Sequence, residues 1–127
     1  MSKASSKANP RRSNGNLRDR NRRRLRAEGR PCWICQAFGR DPRIDYALPP
    51  GHPMSFEVDE LVPVSRHWIG GYRSPEQCAA DYGNLASAHR ACNQWRSNKT
   101  VAEVMAIAAR ERGRASEAEP LPQPWGI

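Results

Sequence analysis

A chain of 127 residues, 38% apolar and 27% charged, has room for one small domain with tails and not for a large core. Eleven prolines and nine glycines interrupt it, and it holds no run of about 18 apolar residues, so no membrane-spanning helix is expected. The formal charge of +8 is unevenly placed: residues 1–30 carry 11 Lys/Arg against 2 Asp/Glu, and residues 31–127 carry 10 against 11. A basic arm on a near-neutral body suits a polyanion, nucleic acid before others, whereas the bland reading of the same arm is a solvated tail.

In chain order, residues 1–13 are Ser/Lys/Arg/Asn-rich and lack the apolar content to order themselves. A helix is expected over Leu17–Glu28, capped by Asn16 and stopped by Gly29 and Pro31. Only Leu17, Leu25 and Ala27 are apolar there, which predicts weak docking, while Arg18, Arg20, Arg22, Arg23, Arg24 and Arg26 suit a phosphate backbone. Cys32-Trp33-Ile34-Cys35 reads as a tight knuckle, and the proline-rich residues 36–53 read as loop.

A strand is expected over Ser55–Val62, ended by Pro63. Residues 65–83 read as a long loop with Gly70-Gly71 and a short helix around Pro75–Asp81. A second strand over Asn84–Ala88 and a helix over His89–Ser97 follow. Thr100-Val101-Ala102-Glu103 has the capping-box pattern, so another helix starts at Val101 with an apolar stripe of Val101, Val104, Met105 and Ala108, and Gly113 offers its stop. The organisation expected is therefore an arm at 1–30, a core domain at 31–99, a helix at 100–114, and a Pro-rich tail at 115–127 that includes Trp125.

Four cysteines permit two disulfides, but the N-terminus has no apolar stretch of the secretory kind. In a reducing cytoplasm the pairs Cys32-x-x-Cys35 and His89-x-x-Cys92 instead favour a metal. Three thiolates and an imidazole close a tetrahedral zinc site, leaving no position for water, so that metal would be structural. Cys78 is the competing ligand, in a helix-like context. Adjacent Asp59 and Glu60, followed by Asn84 and Asn93, offer hard oxygen donors that suit Mg²⁺ or Mn²⁺. Arg96 and Lys99 lie three and six residues past Asn93 and read either as phosphate contacts or as a solvated helix edge.

Taken together, Cys32-x-x-Cys35, Phe56-Glu57-Val58-Asp59, Val62-Pro63-Val64-Ser65, Gly70-Gly71, Asn84-Leu85 and His89-Arg90-Ala91-Cys92-Asn93 through Asn98-Lys99 resemble the HNH endonuclease family. The likeness covers roughly residues 31–99 and is greatest to the small zinc-containing HNH proteins of actinobacterial phages and prophages. It implies an α+β fold with a ββα-metal core stapled by the zinc knuckle. By position it makes Asp59 and Asn93 ligands of the catalytic metal, Asn84 the residue that orients the base or its loop, and Glu60 the occupant of the general-base position.

The family places a histidine where Glu60 stands, a better base near neutral pH. Glu60 is thus open to three readings: a base with a raised pKa, a further metal ligand, or the mark of a lost activity. His52 and His67 are possible substitutes that otherwise read as ordinary loop histidines. The resemblance further implies DNA as substrate, a phage terminase large subunit or portal as partner, and the host cytoplasm as location. Its rivals are a catalytically impaired DNA-binding accessory protein and a structural zinc knuckle that binds RNA or protein.

Overall fold

The computed structural model describes residues 15–118; residues 1–14 of the arm, with the disorder expected over 1–13, and residues 119–127 of the tail, with Trp125, lie outside them. The described chain is mixed α and β in the order α1 (Gly15–Glu28), α2 (Trp33–Phe38), β1 (Phe56–Glu60), α3 (Pro75–Ala80), β2 (Leu85–His89), α4 (Arg90–Arg96) and α5 (Val101–Ala118). A 3-10 segment, Val64–Gly70, broken by a kink at Arg66, follows β1, and a single 3-10 turn, Tyr82–Asn84, leads into β2. No helix among the described residues is long and apolar enough to cross a membrane.

The strands form a two-stranded antiparallel sheet in which Phe56 faces His89, Val58 faces Ser87 and Glu60 faces Leu85. All five residues of β2 are buried. Its Leu-Ala-Ser-Ala-His sequence is small enough to let helices approach both faces, and α1 and α2 both pack on it. On one side Leu25 of α1 sits with Phe56 and Leu85, flanked by Ile44, Tyr46 and Tyr82. On the other Cys32, Ile34 and Cys35 sit with Ala88.

Two expectations are corrected. Helix α1 is not weakly docked: Leu25 is fully buried, and Asn21, one turn earlier, donates from its side-chain amide to the Ala80 carbonyl at 3.1 Å. One completely enclosed leucine and a buried amide anchor a helix that its apolar count undersold. Helix α5 does not stop at Gly113 but runs to Ala118. A glycine in a helix costs only about 1 kcal/mol, and Arg112 beside it ties the helix to α2 by donating to the Ala37 carbonyl at 3.1 Å.

The Cys32–Cys35 knuckle is the start of a short helix, which is why its two sulfurs share a side. Cys32 caps α2, its sulfur accepting from the Cys35 N–H. Gly39, at φ 72°, ends it in the left-handed conformation that glycine adopts without strain. Helix α4 follows β2 without a break, and its first N–H groups donate to the loop before β1, Arg90 to Ser55 and Ala91 to Pro53, each at 2.8 Å. Leu25→Ala should therefore lower stability by about 2–5 kcal/mol, as expected of a fully enclosed leucine; urea denaturation followed by circular dichroism measures it.

Candidate metal centre and acidic cleft

Cys32, Cys35, His89 and Cys92 meet between α2, the end of β2 and the first turn of α4, with their ligand atoms all within 4.8 Å of one another. Cys35 Sγ lies 3.4 Å from His89 Nδ1 and 3.7 Å from Cys92 Sγ, and Cys92 Sγ lies 3.8 Å from His89 Nδ1. Around a tetrahedral zinc with bonds near 2.3 Å to sulfur and 2.0–2.1 Å to nitrogen, sulfurs sit about 3.8 Å apart and sulfur to nitrogen about 3.5 Å. A disulfide needs about 2.05 Å, and the cysteines are unbridged. This Cys3His group can hold a structural metal ion such as zinc.

The histidine is set for that task from behind. His89 Nε2 lies 2.9 Å from the Arg43 carbonyl, a bond in which only Nε2–H can donate, so Nδ1 is left as the lone-pair donor. Cys32 Sγ accepts from the Cys35 and His89 backbone N–H groups at 3.5 and 3.4 Å. The Cys92 hydrogen bond, opposed by burial and helped by those N–H groups, holds the Cys32 thiol down at about 4. Burial, then the charge of Cys32, pushes the Cys35 thiol up. The bond that Cys92 gives to Cys32, then burial, pushes Cys92 up as well. Bringing all three sulfurs to the thiolate form in one buried spot would take a cation among them.

Cys78 is not part of this group. It is fully buried beneath the 3-10 segment, where its sulfur donates to the Val62 carbonyl at 3.2 Å and accepts from the Asn84 amide at 3.4 Å.

A cleft of about 770 Å³ runs along the free edge of β1. Glu57, Asp59 and Glu60 line it from the strand, Asn93 from α4, and Arg18 and Arg22 from α1. Strand alternation separates the two adjacent acids. Glu57 and Asp59 share the face toward α4, where Arg90, Asn93 and Arg96 recur at three-residue spacing along one side of that helix. Arg90 Nη1 binds Glu57 Oε2 at 3.0 Å, Asn93 Nδ2 donates to Glu57 Oε1 at 3.0 Å, and Arg96 Nη1 binds Asp59 Oδ1 at 2.7 Å. Glu60 belongs to the opposite face, on the side of α1.

Asp59 is the largest departure from the sequence reading. Its second oxygen accepts from the Trp33 indole at 2.7 Å, so both oxygens are committed inside the protein. Burial pushes its carboxyl up against the pull of Arg96 and Trp33. Arg96, expected at phosphate, is 0% exposed. Its guanidinium also donates to the carbonyls of Glu60 at 2.6 Å, Lys99 at 3.0 Å and Leu61, and it stacks over the Trp33 ring at 5.1 Å. Arg96 is thus an internal clamp and not a phosphate contact.

Asn84 is buried and spans the strand exit: its amide donates to the Val62 carbonyl at 3.1 Å and its Oδ1 accepts from the Val62 N–H at 2.8 Å. It positions the loop directly after Glu60. Of the other arginines expected at phosphate, Arg22 lines the cleft while its guanidinium lies 5.4 Å from the Phe56 ring centre. Arg24 stacks on Tyr82 at 3.8 Å and Arg26 bonds the Tyr46 carbonyl, which turns both toward the body of the domain. Arg23 is exposed. Lys99 folds onto Trp95, donating to its carbonyl at 2.9 Å. His52 and His67 are held in local turns, His52 Nδ1 by the Met54 N–H and His67 Nδ1 at 3.0 Å from the Tyr72 carbonyl.

Sequence reasoning gave no role to Glu57, the acid two residues before Asp59 on the same strand face, or to Trp33, the residue inside the knuckle. A period of two along β1 set against a period of three along α4 was the signal that could have paired Glu57 with Asn93.

Compared with protein-family models, curated proteins and solved structures, the chain matches none.

Two outcomes are expected. Metal analysis of purified protein should find one ion per chain, lost in Cys35→Ser with a large drop in melting temperature and kept in Cys78→Ser, because metal binding supplies of order 10 kcal/mol in small modules of this kind. Asp59→Ala should cost about 3–5 kcal/mol in chemical denaturation, since it strands a buried guanidinium, and a paired Asp59→Leu/Arg96→Met change should cost less.

Proposed function

We propose that this chain is a small metal-dependent DNA endonuclease or nickase of the HNH type, with a ββα core stapled by zinc at Cys32, Cys35, His89 and Cys92. The observation that carries the reading is the cleft along the edge of β1, which sets carboxylates and Asn93 on one side against Arg18 and Arg22 on the other. Such a cleft holds a phosphodiester between cations that bind its charge and oxygens that handle a metal and water.

The donor chemistry of the cleft fits a hard divalent ion. Glu57, Glu60 and the Asn93 carbonyl oxygen offer oxygen and neither sulfur nor nitrogen, the preference of Mg²⁺ or Mn²⁺. The Cys3His cluster is the one group of three or more His, Cys, Asp or Glu ligands gathered closely among the described residues. The cleft would therefore hold its ion by one or two carboxylates, with water and substrate phosphate completing the shell, as Mg²⁺ sites commonly do. When bound, such an ion polarises the scissile phosphate and stabilises the leaving oxygen.

In this reading Glu60 takes a proton from the attacking water and Asn84 holds the loop after it. Glu57 fixes Asn93 through their hydrogen bond, and Arg18 and Arg22 bind the flanking phosphates. The resemblance places Asp59 on the metal, but the buried pair with Arg96 supports leaving it as the footing beneath the cleft. The same resemblance makes a phage terminase large subunit or portal the protein partner to seek.

The commitment of Asp59 favours one second reading, a DNA-binding accessory protein that does not cleave. A plasmid-nicking assay with Mg²⁺, Mn²⁺, Ni²⁺ or EDTA separates the two. Under the enzyme reading the metal-loaded wild type nicks, and Glu60→Gln keeps DNA binding while losing roughly 10²- to 10⁴-fold in rate, the usual worth of a positioned base. Glu60→His should retain or raise the rate. DNA binding without nicking by any metal would establish the accessory reading. Arg18→Ala and Arg22→Ala should each lower the slope of log affinity against log salt by about 0.9.

A further inference from the structure

The 3-10 segment Val64–Gly70 begins on the cleft, where Val64 and Ser65 line its rim, and ends in the open. At its far end Trp68 is 62% exposed and Ile69 48% exposed, adjacent large apolar side chains presented to water. Scattered exposed apolar residues are ordinary, but this pair stands on a tip held from several sides. Arg66 binds Glu103 of α5 at 3.0 Å, His67 lies 3.0 Å from the Tyr72 carbonyl, and Tyr72 donates to Asp81 at 2.6 Å. The Gly71 N–H caps the turn by bonding the Trp68 carbonyl at 3.0 Å, with Gly71 at φ 81°. Gly70 rests directly on the strand exit: a Cβ there would fall 2.8 Å from Val62 Cγ2. The His67 ring meets the Trp68 ring edge-on at 5.4 Å, which limits the directions the indole can take.

We propose that Trp68 is a base-stacking residue, with Ile69 as its apolar shoulder, that engages an unpaired nucleobase of the DNA strand lying in the cleft. The proposal rests on the nucleic-acid reading above and names the substrate form that site prefers: single-stranded or locally opened DNA. Charge selects this occupant over an apolar one. The segment leaves the cleft that Arg18 and Arg22 line, Trp68 stands three positions past Ser65 on its rim, and exposed Arg73 follows five positions later, so an occupant that reaches from the cleft to the indole passes guanidinium groups. A nucleotide strand offers both partners at once, a flat apolar face and a phosphate. An indole on a preorganised support loses little freedom on stacking, and stacking tolerates any base because every base has a π-face.

The test uses the full metal-loaded chain in EDTA-free buffer with no added Mg²⁺ or Mn²⁺, titrated by fluorescence anisotropy into a single-stranded 20-mer and the matching duplex. Trp68→Ala should weaken binding to the single strand by roughly 5- to 150-fold, the range for loss of one base–aromatic stack, and leave duplex affinity and the salt slope unchanged. Trp68→Phe should keep most of the single-strand affinity, and Ile69→Ala should lose less than Trp68→Ala. Because Trp68 is exposed, metal content and melting temperature should match wild type and certify the fold. Unchanged single-strand affinity in Trp68→Ala, or equal losses on single strand and duplex, would overturn the proposal while the nuclease reading stands. Failure of the wild type to bind either DNA would remove both.

Discussion

Arg96 is the largest fully buried side chain in the described structure, and a guanidinium cannot be enclosed without a counter-charge and acceptors for its N–H groups. Asp59 supplies the charge, and the carbonyls of Glu60, Leu61 and Lys99 supply acceptors. The arrangement fixes three things together: the depth of α4 against β1, the path of the chain as it leaves β1, and the turn that follows α4. An apolar pair of similar volume can match such an ion pair in stability, but it would not hold those carbonyls in place. The positions of Glu57, Glu60 and Asn93 in the cleft follow from this clamp, since they are its near neighbours on the same strand and helix.

Trp33 joins the clamp to the Cys3His cluster. It stands between two of the thiols, gives its indole N–H to Asp59 and lies against Arg96. The Cys3His cluster and the clamp are therefore linked through Trp33, and a disturbance at the knuckle reaches Asp59 through a single side chain. His89 makes a similar join at the other end of the cluster, being at once the last residue of β2, the residue before α4, and a member of the Cys3His group. A small domain with few large apolar side chains gains from such double use, because each ordered residue answers several requirements.

Much of this was legible in the sequence, and the failures are instructive. The two Cys/His pairs announced themselves by spacing alone, since ligand geometry is local to each pair. Strand and helix positions in 55–97 were readable within a residue or two from turn chemistry and Pro63. The roles of Asp59 and Arg96 were not legible. Two adjacent acids look like a pair in one dimension, and only the pleat of a strand sends Glu60 one way and Asp59 the other. Arg96 read as surface because arginine is almost never fully buried unless paired, and its partner is 37 residues away. The docking of α1 was missed because one completely enclosed leucine weighs more than an apolar count reveals.

The separation of the two halves of the cluster bears on how this chain can lengthen. Cys35 and His89 are 54 residues apart in sequence and 3.4 Å apart in space. Loop closure cost rises only with the logarithm of length, about 0.6 kcal/mol per doubling. The largely exposed loop 47–52 can therefore accept inserted residues cheaply, provided its ends remain where the cluster and the sheet hold them. One residue inserted between Glu57 and Asp59 is a different matter. It would turn one of the two acids to the opposite face of the sheet, leaving either Arg96 without its counter-charge or Asn93 without its partner. The architecture is permissive in its loops and intolerant across five residues of β1.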